Sequence, residues 1–412
     1  METFIVILVV FLMISTFGFK LWLSILNYNN RTAPIPKIVA DVYEKDEYEK
    51  WLKYSMENYR FSLVESVFGV FLSLVLLLSG LFLVFKDISE GISSNLAIQT
   101  LIFMGIYFLV SFFFDIFFSY YAKFSIEERY GFNKSTKKTF VIDKIKGLIL
   151  TIIFGGGLIY LLFTLYDETG NWFIITAWAS LVAIMLFINM FYVKLIVPLF
   201  NKLRPLEDGD LKNKINAFGN KVGYEVTKIS VIDASKRSTK LNAFFSGLGK
   251  MKQVVLYDTL IEKMSPDEIV AVLAHEIGHS KHKHIYSGII QSSIVISVNL
   301  GVLLFTLKSP LLSTAFGFDD AHFGFGLIIF TVLLSPISII IGAIASGISR
   351  KHEYQADKYA VDNGFKVPMM NALKVLSKEN FSNLTPHPLY VKLTYSHPPV
   401  ADRLQAIEAI GD

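Results

Sequence analysis

Apolar residues along this chain gather into seven long runs, near 3–26, 61–85, 97–120, 147–166, 172–198, 286–307 and 324–348, with polar segments between them. Each run reaches or approaches the roughly 20 residues that a helix needs to cross hydrocarbon. One such run alone would fit a buried core helix, but seven together predict about seven transmembrane helices in a mainly α, polytopic membrane protein. The fourth and fifth are joined only by residues 166–172, which predicts a tight helical hairpin. The first begins Met1-Glu2 without a basic leader and is too long for a cleaved apolar core, so it reads as a retained span. After the fifth run the period changes. Val226–Asp233 and Gln253–Tyr257 carry β-branched residues in alternation, and Asn242–Gly249 between them reads as a strand and turn. The pattern thus divides the chain into five spans with polar loops (1–198), a small α+β segment (199–285), two more spans (286–348) and a polar tail (349–412).

Composition agrees with a membrane protein. Of 412 residues 53% are apolar and only 18% charged, against about 25% in soluble proteins. The net charge is a modest +4, but its distribution is uneven. Six Lys or Arg lie between the first two spans (Arg31, Lys37, Lys45, Lys50, Lys53, Arg60) and seven between the third and fourth (Lys123, Arg129, Lys134, Lys137, Lys138, Lys144, Lys146). The opposite loops hold only Lys86 and Lys308. By the positive-inside rule the N-terminus faces away from the cytosol, and parity puts residues 199–285 and the tail on the cytosolic side.

Candidate chemistry begins at residues 275–279, His-Glu-Ile-Gly-His. Ser265-Pro266-Asp267-Glu268 marks a helix start with a capping box and a proline in the first turn. Ile269, Val270, Leu273, Ala274 and Ile277 then repeat at helical spacing as a buried stripe. On that helix His275 and His279 project from one face and can grip one Zn²⁺, while Glu276 is turned about 100° away, where a general base reaches a bound water. With no cysteine in the chain, a third ligand must be His or carboxylate. Glu353 and Asp357 stand four apart where the last span runs into the tail, which emerges on the same membrane face. They fit a third ligand and an acceptor for a zinc-bound imidazole N–H. His282 and His284, among Lys281 and Lys283, read as a basic anchor at the lipid boundary. Gly155-Gly-Gly157 reads as a close helix contact or a kink. There is no phosphate-binding loop, G-x-S-x-G elbow or dinucleotide fingerprint.

Several further motifs stand in order along the chain: Glu128-Arg-Tyr-Gly-Phe-Asn133 with Thr136, Asp233-Ala-Ser-Lys-Arg237, Asn242-Ala-Phe-Phe-Ser-Gly247, Ser349-Arg350, and Ser396-His397-Pro-Pro399 with Arg403. With HExxH they make the chain resemble the integral-membrane zinc peptidases of the type I CaaX prenyl protease family. The resemblance implies seven helices around a central water-filled chamber, with a small α+β zinc-peptidase domain on the cytosolic side. It implies one Zn²⁺ held by His275, His279 and Glu353, with Glu276 as base and Asp357 behind the ligands. Asn242 would stand beside an edge strand that pairs with substrate backbone, and His397 would meet the substrate carbonyl or oxyanion. Phe244 and Arg403 join Asn242 as substrate-binding residues.

The expected activity is zinc-dependent endoproteolysis near the C-terminus of CaaX-type or other membrane-associated peptides, with or without a prenyl group. The expected partners are such a peptide or membrane-protein substrate and the lipid bilayer, with no nucleic acid, for a protein that works as a monomer. The expected location is a prokaryotic cell membrane, or the endoplasmic reticulum membrane in a eukaryote. Two other readings compete: a quality-control metalloprotease without prenyl requirement, and, from another class, a zinc transporter or scaffold. A transporter places ionisable ligands within its spans, whereas here Glu65 and Asp115 are isolated exceptions.

Overall fold

A computed structural model of the chain describes residues 1–224, 229–246 and 253–411. Among these, six helices are long and apolar enough to cross a membrane: Glu2–Asn30, Lys45–Leu78, Leu96–Glu127, Lys137–Phe200, His284–Leu307 and Phe323–Asp362. The fourth holds two of the expected spans. A turn at Gly170–Trp172, where Gly170 has φ 52°, separates Gly157–Thr169 from Phe173–Leu195. The two arms fold back on each other, since Lys146 Nζ donates to the Leu199 carbonyl at 2.6 Å. Arg237 also ties Asp143 of one arm to Asn201 beyond the other.

Two spans differ from the apolar pattern. The expected run 61–85 is not one helix: the helix from Lys45 stops at Leu78, Gly80 takes a left-handed φ of 78°, and a separate helix covers Leu81–Ile92. A residue without Cβ makes that reversal cheap, and uniform hydrophobicity conceals it. In the fourth span, Thr151–Gly156 is wound as a π-helix, so the glycine run marks a local widening of the helix. Asp115, isolated in the third span, is paired with Lys144 at 2.6 Å.

The spans do not close into a solid bundle. Only 6–17% of each apolar window is buried, and large apolar side chains such as Phe4, Phe11, Phe71, Phe113 and Ile344 are exposed. Inside, between Glu2–Asn30, Lys45–Leu78 and Phe323–Asp362, lies a cavity of about 410 Å³ lined partly by Lys20, Ser62, Ser66 and Ser335.

On the polar side, among the described residues, four strands form one sheet in the order β1 (Leu203–Pro205), β2 (Ile229–Ile232), β4 (Gln253–Tyr257), β3 (Ala243–Ser246). β2 and β4 are parallel; β1 and β3 are antiparallel to their neighbours and form the two edges. The three-residue β1 is too short to show a period. Residues 226–228 and 247–249 of the expected strands lie outside the described residues. The core behind the sheet gathers distant segments: Val42 from the first loop, Trp51 from the start of the Lys45–Leu78 helix, Leu256 from β4, Ile269 and Leu273 from the HExxH helix, and Leu373 and Leu404 from the tail. Finally, Phe323–Asp362 runs 40 residues, about 60 Å, through the apolar zone and out into this core.

Candidate metal centre

The helix Pro266–Lys281 starts as its sequence demands. Ser265 N donates to Glu268 Oε2 at 2.8 Å and Glu268 N to Ser265 Oγ at 3.4 Å, with Pro266 in the first turn. The expected stripe is buried, but so are Ala271 and Val272, so this helix is enclosed nearly all round. Its closest neighbour is the long helix ending at Asp362. A Cβ on Gly278 would stand 3.0 Å from Tyr359 Cβ and 3.1 Å from Ala356 Cα. The glycine inside HEIGH is therefore what lets the two helix backbones meet, and that approach delivers Glu353 and Asp357 to the histidines.

The three expected ligands converge. His275 Nε2 lies 3.1 Å from His279 Nε2, 3.5 Å from Glu353 Oε2, and Glu353 Oε1 lies 3.3 Å from His279 Nε2. Candidate donor atoms of the three fall within 4.8 Å of one another. Two bonds of about 2.0–2.1 Å to one tetrahedral ion subtend an N···N edge of roughly 3.3 Å, close to what the two imidazoles present. His275 Nδ1 donates to Asp357 Oδ1 at 2.8 Å, which turns its Nε2 toward the centre. Glu353 Oε2 is buried without a hydrogen-bond partner. Desolvation lowers the His275 pKa, but the nearby Asp357 and Glu353 carboxylates outweigh it and raise it to about 9. Two imidazole nitrogens and a buried carboxylate thus face one space, and a divalent cation suits that donor set.

Around this centre the other expected residues take distinct places. Glu276 is half-buried on the wall of a cavity of about 690 Å³ that also exposes His275, His279, Asn242 and His397. Burial raises the Glu276 carboxyl above its ordinary value, against the lowering influence of both histidines. His397 sits in the expected non-helical turn, its Nε2 3.5 Å from Glu353 Oε1 and its Nδ1 3.0 Å from Ser396 Oγ. Arg350 holds that turn by donating to the Val391, Lys392 and Tyr395 carbonyls.

Arg403, expected to contact substrate, also stands behind the ligands. It is buried, and its guanidinium is engaged by Asp357 through Nε and Nη2 at 2.8 and 2.6 Å and lies 3.3 Å from Glu353 Oε2. It also lines the cavity beside His275 and Glu353. Asn242 is exposed on the cavity at the foot of edge strand β3, its Oδ1 accepting from the Ala243 amide. The Phe244 ring packs toward Val193, Val197 and Val255 and is not part of that wall.

Other residues shape the site with no motif to announce that role. Asn380 reaches Leu241 like a strand partner, accepting from its amide at 2.8 Å and donating to its carbonyl at 3.1 Å. His284 is not a lipid-boundary anchor: it is buried, 2.9 Å by Nδ1 from His279 Nδ1 and 2.9 Å by Nε2 from Gln355 Oε1. Its neighbour Lys283 has φ 58°, a left-handed corner that ends one helix and swings His284 back beneath the site. Lys281 donates to the Val222 carbonyl. The other motifs are ties: Asn133 bridges Ser238, and Lys134 N donates to the Arg237 carbonyl, so the 128–133 and 233–237 segments lock together.

Known proteins share this arrangement. Residues 24–202 match the family model described as CAAX prenyl protease N-terminal, five membrane helices, and residues 205–411 match Peptidase family M48. The chain is 34% identical to CAAX prenyl protease 1 homolog of Arabidopsis thaliana, over 97% of this chain and 96% of that one. It is 32% identical to CAAX prenyl protease 1 of Saccharomyces cerevisiae, over 97% and 94%. The crystal structure of S. mikatae Ste24p superposes with a TM-score of 0.92 at 33% identity, covering 97% of this chain and 98% of that one.

Proposed function

This chain belongs to peptidase family M48, in its CAAX prenyl protease branch, and on that premise we propose that it hydrolyses peptide bonds near the C-terminus of CaaX-type substrates at a zinc site held by His275, His279 and Glu353. It is a multi-pass membrane metalloendopeptidase. The observation that carries the site assignment is the convergence of two imidazole Nε2 atoms, 3.1 Å apart, on a buried carboxylate from a second helix, beside an open strand edge. When bound, the ion supplies Lewis acidity that acidifies water and polarises a carbonyl.

The chain's own residues supply the remainder. Glu276, its carboxyl raised by burial, takes a proton from water and later hands it to the leaving amine. An extended peptide adds to β3 through main-chain hydrogen bonds, with Asn242 at the end of that edge. With the Ser396 hydroxyl donating to Nδ1 of His397, Nε2 keeps its proton and donates to the oxygen of the scissile carbonyl. Arg403 and Asp357 hold the ligands in place and exclude solvent behind them.

The side of the membrane follows from charge. The basic loops after the first and third spans and both halves of the site share one polar mass, tied by Lys374–Asp41 and Lys240–Glu127 pairs. By the positive-inside rule that charge supports a cytosolic placement of the site. The metal ligands and Glu276 all come from one chain, which supports a protein that works as a monomer. The family places the chain with peptidases and not with zinc transporters.

The test uses matched fluorogenic CaaX peptides, farnesylated and bare, with detergent-purified protein before and after chelation. Chelator-sensitive cleavage favouring the farnesylated peptide supports a prenyl-reading protease. Equal cleavage of both identifies general membrane proteolysis, and chelator-insensitive cleavage overturns the metal site.

A further inference from the structure

The two histidines of HEIGH are held from behind in different ways. His275 Nδ1 meets a carboxylate, Asp357, itself clamped by Arg403. His279 Nδ1 meets another imidazole, His284, whose far nitrogen meets the side-chain amide of Gln355. We propose that His284 and Gln355 are positioning residues that form a neutral hydrogen-bond relay, setting the tautomer of His279 so that its Nε2 lone pair faces the metal.

The reasoning is a count of protons. To ligate through Nε2, a neutral His279 must carry its proton on Nδ1. That N–H needs an acceptor at 2.9 Å, so His284 Nδ1 must be bare and its proton must sit on Nε2. The His284 Nε2–H then needs an acceptor in turn, and Gln355 Oε1 lies 2.9 Å away. An amide carbonyl only accepts, so each link in the chain has one consistent direction. Were the Gln355 amide turned to offer its NH₂, every proton would reverse and His279 would present Nε2–H to the metal. Ligation by His279 therefore selects the orientation found.

The imidazole of His284 is fixed in its own plane as well. It is 9% exposed and stacks on His352 at 3.9 Å between centroids and 11° between planes. His282 stacks on it at 5.6 Å and 16°. A buried, stacked ring between two polar partners cannot rotate without losing both hydrogen bonds. The relay also orients His279 without adding a third buried carboxylate to a site that already holds Glu353 and Asp357.

The inference rests on His279 being a metal ligand. The experiment measures the zinc dissociation constant of metal-free, detergent-purified protein by competition with a chromophoric chelator, alongside its metal-free melting temperature. His284→Leu, which cannot accept the His279 proton, should weaken zinc by about 10–100-fold, the usual cost of losing an outer hydrogen bond to a ligand. His284→Asn, whose Oδ1 takes the place of Nδ1, should recover most of that affinity. Gln355→Glu, still an acceptor, should bind as well as the parent, whereas Gln355→Leu should not. His279→Ala is the reference: if it binds zinc like the parent, the ligand assignment itself fails. If His279→Ala loses zinc while His284→Leu keeps it within twofold, the relay alone is refuted. Equal losses in the Leu and Asn variants of His284, with an unchanged melting temperature, also refute it, because only the acceptor distinguishes them.

Discussion

Gly278→Ala tests whether the approach of two helices sets the site. A Cβ there would stand 3.0 Å from Tyr359 Cβ, 3.1 Å from Ala356 Cα and 3.3 Å from Ala356 O. Carbon atoms rest at about 3.5–4.0 Å. Two of the three obstacles are backbone, so side-chain rotation cannot relieve them, and the helices must part by roughly 0.5–1 Å. Overpacking of this kind costs about 1–3 kcal/mol, whereas replacing a helical glycine by alanine recovers up to about 1 kcal/mol of propensity. The net loss of stability is therefore about 0–3 kcal/mol, and the protein remains folded. The site suffers more than the fold. Glu353 and Asp357 flank Ala356, and the His275–Asp357 contact of 2.8 Å lengthens with the same displacement. A misplacement near 1 Å can cost about 10²-fold in rate. Cleavage of a CaaX peptide should fall about 10–100-fold in kcat/KM, together with zinc affinity, while the melting temperature drops only slightly. Gly301→Ala, where a Cβ would meet nothing within 4 Å, serves as control. Unchanged kcat/KM and zinc affinity in Gly278→Ala would refute the reasoning.

Other perturbations separate the roles of the remaining groups. Glu276→Gln should retain stoichiometric zinc and lose about 10²–10⁴-fold in kcat; metal analysis with single-turnover cleavage checks both, and a near-parental rate would sink the assignment. Arg403→Met strands Asp357, a charge that is 1% exposed; breaking such a pair costs about 3–5 kcal/mol, so chemical or thermal unfolding should shift strongly and zinc should weaken. Arg350→Ala releases three carbonyls that hold the 391–397 segment; kcat should fall about tenfold or more with zinc affinity unchanged, and parallel loss of zinc would argue that the turn is not its target. Asn380→Ala unpins Leu241 next to Asn242 and should raise KM more than it lowers kcat, as steady-state kinetics on a bare peptide would show.

Much of this was legible along the chain because it depends on local order. Hydrophobic runs longer than a bilayer is thick announce the spans. A Ser-Pro-Asp-Glu start announces the helix, and histidines four apart on it must share a face. Glu353 and Asp357 were legible because they too lie one turn apart on a helix that loop charge brings to the same membrane face. Other features depend on packing between distant segments and leave no local trace. Gly80 breaks an apolar run without lowering its hydrophobicity, and β1 is three residues long. Arg403 looks like an available cation in the sequence. Only folding shows it 8% exposed, facing Asp357 and Glu353.

His284 marks the boundary most sharply. Beside Lys281 and Lys283 its neighbours in sequence describe a basic surface at the lipid edge. The left-handed turn at Lys283 reverses the chain there, and Gln355 arrives from 71 residues away to meet it. The sequence by itself determined which side chains could ligate a metal and which helices carry them, because those depend on the 3.6-residue period and the length of a span. The tertiary structure alone decided which groups stand behind the ligands, because a hydrogen bond depends on where two backbones come to rest, and at Gly278 that is set by a side chain that is absent.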